Sequence, residues 1–134
     1  MSTGNFEKQD KIVMEEFSDY LKKENLSQKT IKSHMGNLGF FYTYLTYYDE
    51  SNSFAKMDFV DVGGFLGDFF PRKAMWASPS SVKSNISTFK KFFKFMVKSN
   101  HIPENEYDDL LSLIKSEKED WIESVEFDED ELDY

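Results

Sequence analysis

With 134 residues, 40% of them hydrophobic and 17% aromatic, the chain has enough apolar material for one domain core and is not disordered as a whole. It has no cysteine, which excludes disulfides, thiolate metal sites and cysteine nucleophiles, and no apolar run near the roughly 18 residues of a membrane span, so a soluble cytoplasmic protein is expected. The net charge of −9 is unevenly spread: residues 1–102 carry 14 Lys+Arg against 11 Asp+Glu, whereas residues 103–134 carry 2 against 14.

Helical periodicity governs the chain from its start. Residues 7–24 place Val13, Phe17, Tyr20 and Leu21 on one face, and Asn25 is the C-terminal stop. Ser27 is a good N-cap for a second helix through about Tyr48, with Ile31, Met35, Leu38, Tyr42 and Leu45 at 4-3-4-3 spacing. Asp49–Lys56 reads as a loop. Asp58 can cap a third helix over residues 59–70, with Val62, Phe65, Leu66 and Phe69 inward and Pro71 closing it. Gly63 and Gly67, one turn apart, predict a close helix–helix approach.

Ser78–Pro79 pairs an N-cap with a first-turn proline and opens a fourth helix to about Ser99. Val82, Ile86, Phe89, Phe93 and Met96 form its inward face, and Asn100–Pro103 breaks it. A last helix from about Glu104 to Glu126 is expected to bury Tyr107, Leu110, Leu111, Ile114, Trp121 and Ile122. Residues 127–134 (FDEDELDY) read as an acidic, disordered tail. No stretch alternates with period two. The fold class is all-α, a compact four-to-five-helix bundle in a single domain over residues 1–126.

Residues 69–103 contain seven bases and no acid. At 100° per residue, Lys83, Lys90, Lys91, Lys94 and Lys98 fall between about 80° and 180° from Val82 on the fourth helix. Five lysines therefore form one flank beside an apolar face, which points toward an anionic partner. On the second helix Lys29, Lys32, Gly36 and Thr43 share a side, and the glycine leaves room for a phosphate. Phe92 and Phe95 lie on the other side of the apolar face and are expected to meet a neighbouring helix rather than nucleic-acid bases.

The order of these features is similar to a known family. Ser27-x-x-Thr30-Ile31-x-x-His34-x-x-x-Leu38-x-x-Phe41, after one amphipathic helix, resembles the core-binding domain of tyrosine recombinases (phage integrases). That domain is the SAM-like helical bundle preceding their catalytic domain. Ser81-Val82-x-x-Asn85-Ile86-x-x-Phe89-x-x-x-Phe93-x-Phe95 resembles a later helix of the family, and Ile102-Pro103 its exit signal. The resemblance covers about residues 10–110. It implies half of a clamp around duplex DNA, with the second and fourth helices against the backbone, and so weak, backbone-mediated DNA binding by the nine residues named above.

The same resemblance implies what this chain lacks. Tyrosine recombinases use a Tyr nucleophile with two arginines, a lysine and a His-x-x-Arg element. Here Arg72 is the one arginine, and three residues after His34 and His101 stand Asn37 and Glu104. Tyr134 sits among carboxylates that would repel a phosphate. A non-enzyme is therefore expected, with no catalytic residue, cofactor or metal site; His34 reads as a packed or solvated histidine. Lys29–His34 is also similar to the recognition helix of response-regulator helix-turn-helix proteins; the long helix before it does not suit that motif, which leaves this reading as a minor alternative.

Three functional readings follow. The first is a DNA-binding accessory module from a mobile element or a split or shortened recombinase. The second is a protein-interaction module whose acidic last helix and tail engage a recombinase or other basic protein, or mimic DNA. The third is an N-terminal portion of a longer integrase.

Overall fold

The computed structural model describes residues 8–49 and 53–126, and among them every regular element is helical. The order is α1 (Lys8–Lys23), α2 (Gln28–Tyr47), α3 (Phe59–Gly64), a π turn (Phe65–Phe69), α4 (Phe70–Lys73), α5 (Pro79–Lys98) and α6 (Asn105–Ser124). Since α3, the π turn and α4 run on as one rod, the described residues form five helical rods. The all-α bundle expected from the periodicity is what forms. The tail expected over residues 127–134 lies outside the described residues.

Short polar side chains set the helix ends. The Ser27 hydroxyl accepts from the Thr30 N–H at 3.1 Å and opens α2. Asp58 and Ser78 form reciprocal capping boxes with Asp61 and Ser81, at the starts of α3 and α5. Asn25 and Asn100, both with φ 60°, take the left-handed turn that stops α1 and α5.

Pro71 does not close the third helix as expected. A proline has no N–H to donate, and its ring crowds the carbonyl four residues back. The chain accommodates it by widening: the Phe70 N–H reaches the Phe65 carbonyl five residues earlier, and helix continues to Lys73. The widened turn sends Phe65, Phe69 and Phe70 into the core together.

One core joins all five rods. Phe17, Leu38, Phe69, Phe89 and Ile114 are buried in it, as are Phe41, Phe54 and Trp121. Phe92 meets Phe17 edge-on at 5.1 Å between ring centroids, and Phe95 meets Phe17 and Tyr20 at 5.4 Å each. Both aromatics thus pack against α1, as expected. Gly63 and Gly67 do face α6, where an added Cβ would lie 3.4 Å from Leu113 and from the Trp121 indole. Gly64 is tighter still, 2.5 Å from the Tyr44 hydroxyl. The segment read as a loop before α3 is anchored from within: Phe54 is fully buried, 4.9 Å from the Tyr42 ring and 5.1 Å from Phe92.

Candidate nucleic-acid interface

The α5 helix carries most of the candidate residues, and its two sides differ in chemistry. Burying Val82, Ile86, Phe89, Phe93 and Met96 turns the lysine flank outward. Lys83, Lys90, Lys94 and Lys98 are exposed, and Lys91 is half-buried. On α2, Lys29, Lys32, Gly36 and Thr43 are all exposed. A Cβ added at Gly36 would meet nothing within 4 Å, so the backbone there is open to a close neighbour. The Thr43 hydroxyl donates to the Gly39 carbonyl of its own helix at 3.2 Å, leaving an oxygen lone pair outward.

A polar seam ties α2 to α5 beside these lysines. Asn37 Nδ2 donates to Ser84 Oγ at 3.0 Å and to Thr88 Oγ1 at 2.9 Å, and His34 Nδ1 lies 2.7 Å from the same Thr88 oxygen. Thr88 has a single hydroxyl proton, which goes to the Ser84 carbonyl at 3.1 Å. Its oxygen must then accept from both neighbours, so the proton of the neutral His34 ring sits on Nδ1. Burial, and then the nearby Lys91 charge, push the His34 imidazole below its ordinary range. His34 is therefore a packed, neutral strut between two helices.

The lysines do not all share one environment. Lys90, Lys91 and Lys94 border a cavity of about 260 Å³ together with Tyr20, Glu24, Ser87 and Tyr107. Lys98 lines a separate one with Glu16, Asp19 and Lys23, and Lys32 a third with Lys22 and Leu26. The flank has no acid in its own helix, yet α1 and the turn after it bring acids alongside. Glu24 Oε1 lies 3.2 Å from Lys91 Nζ. Desolvation alone would raise the Glu24 carboxyl, but hydrogen bonds from Lys91 and Tyr20 and the charges of Lys91 and Lys94 outweigh it and hold it low. The Tyr20 phenol is pushed up by burial and by its bond to Glu24. Sequence reasoning missed Glu24 because its partner is 67 residues away.

The family model described as phage integrase, N-terminal SAM-like domain, matches residues 14–100. The chain belongs to this family. The match runs from α1 to the Asn100 turn that ends α5, so this SAM-like domain contains both helices that present the lysines. It is the non-catalytic N-terminal domain of integrases that is matched, and α6 lies beyond it. Neither a curated protein nor a solved structure matches the chain. No helix among the described residues is long and apolar enough to cross a membrane.

Proposed function

We propose that the chain is a non-catalytic DNA-binding accessory module of an integrase-type recombination system, from a mobile element or a split or shortened recombinase. It grips the duplex backbone with Lys83, Lys90, Lys91, Lys94 and Lys98 of α5 and with Lys29, Lys32, Gly36 and Thr43 of α2. The observation that carries this reading is the outward lysine flank of α5, in a domain of a family of DNA integrases. Cations that release condensed counterions give affinity, and small groups such as Gly36 and Thr43 fit between phosphates. Such contacts are non-specific and salt-sensitive, with dissociation constants at or above about 10⁻⁴–10⁻⁶ M at physiological salt.

The test is the pair Lys90→Glu with Lys94→Glu, titrated with labelled duplex at several salt concentrations. Both side chains are exposed, so the fold survives with a stability change of about 0.5 kcal/mol or less. Binding weakens, and the salt slope becomes shallower by roughly 0.9 per lost contact. Deleting residues 127–134 removes five acids and no base, and tightens binding at low salt. Absence of duplex binding at low salt, with or without those residues, would transfer the case to the protein-interaction reading. Neutralising Glu117, Asp120 and Glu123 on α6 then weakens the complex with a basic partner.

A further inference from the structure

We propose that the cleft between the end of α1, α5 and the start of α6 is the seat of one backbone phosphate, and that Glu24 fills it in the free protein. This rests on the DNA-binding reading and adds to it a named phosphate site and the residue that restrains it. Lys90, Lys91 and Lys94 line a cavity of about 260 Å³ together with Tyr20 and Tyr107. Three lysines and two tyrosines therefore meet at one opening. Charge-assisted hydrogen bonds from such donors are the means by which proteins hold a phosphate oxygen.

The carboxylate of Glu24 already uses one of these donors: it takes the Lys91 ammonium at 3.2 Å. A carboxylate oxygen and a phosphodiester oxygen ask for the same partners, so the two compete for one place. Three cations against one carboxylate leave the cleft positive and still receptive to an anion. The Glu24 side chain remains 37% exposed and belongs to the turn just past the end of α1, where the Glu24 N–H bonds the Leu21 carbonyl at 3.2 Å. It can swing into solvent without disturbing the core. Lys91, 32% exposed, is set beside the polar seam, near enough for its charge to act on His34. The pair therefore works as a local brake: DNA must displace Glu24 before Lys91 becomes available.

The experiment uses the full chain and a labelled duplex of mixed sequence at about 50 mM salt, followed by a salt titration. Wild type is compared with Glu24→Gln, Lys91→Gln, the double variant, and Glu123→Gln as an equal change of net charge on α6. Glu24→Gln tightens binding by about two- to fivefold, the range set by breaking one exposed ion pair. Its salt slope steepens by roughly 0.9, one added phosphate contact. In the Lys91→Gln background the gain falls to less than half, and Glu123→Gln leaves affinity unchanged. An unchanged or weaker Glu24→Gln, a gain matched by Glu123→Gln, or a gain of full size without Lys91 overturns the brake while leaving DNA binding intact. Absence of binding by wild type and every variant overturns the DNA reading as well.

Discussion

The Tyr42 hydroxyl donates a 2.6 Å hydrogen bond to the buried carboxylate of Asp10, and the other oxygen of that carboxylate accepts the Phe54 N–H at 3.1 Å. One acid therefore links α1, α2 and the segment entering α3, at a point where all three are closed to water.

Replacing Asp10 tests that link. Asp10→Ala strands the Phe54 N–H in the core and removes the acceptor of the Tyr42 hydroxyl, a loss of about 2–3 kcal/mol. Asp10→Asn keeps one acceptor and loses roughly half as much. Denaturant unfolding checks both: the midpoint falls in that order while the slope is unchanged. Wild-type stability in Asp10→Ala would show that the carboxylate is not a structural link.

The limits of the sequence reading trace to the same kind of contact. Helix ends were legible because their signals are local: Ser27, Asp58 and Ser78 bond within three residues, and Asn25 and Asn100 set the turns by their own backbone. The integrase-like order of helices was legible because the core positions repeat with the helical period. Pro71 misled, since its effect depends on whether the preceding turn can widen, and the packing of Phe65, Phe69 and Phe70 decides that. Phe54 sat in a polar stretch that has no period. The candidate site was half legible in the same way: α5's own sequence places its lysines, but Glu24, which pairs with Lys91 at 3.2 Å, comes from the turn after another helix.

His34 gives the fold a dependence on pH. Its imidazole is held below the ordinary value by burial and by Lys91, so the folded chain favours the neutral ring. An unfolded histidine takes up a proton near pH 6.5. As pH falls through that value the unfolded state binds the proton first, and stability declines until the lowered folded value is reached. The contribution is thus complete above about pH 6.5 and lost below it. His34→Asn places an amide N–H near the Thr88 oxygen and cannot titrate. Unfolding free energies measured from pH 8 downward show a drop in wild type that this variant reduces. An identical drop in both would assign the effect to other groups.

Two glycines are expected to answer the same substitution in opposite ways. Gly64→Ala places a Cβ 2.5 Å from the Tyr44 hydroxyl. The Tyr44 ring cannot yield freely, because Phe65 and Phe69 pack against it at 5.6 and 5.1 Å. The crowding costs about 1–3 kcal/mol, more than the helix propensity that alanine adds. Gly36 lies in mid-helix with open space where its Cβ would be, so Gly36→Ala gains about 1 kcal/mol and raises the melting temperature by a few degrees. On the DNA-binding reading the same methyl stands where a phosphate approaches α2, and duplex affinity drops even as the fold becomes more stable. Thermal melts and a duplex titration on one preparation separate the two effects. A Gly36→Ala chain that is more stable and binds duplex as wild type does would remove Gly36 from the interface and leave α5 as the binding face.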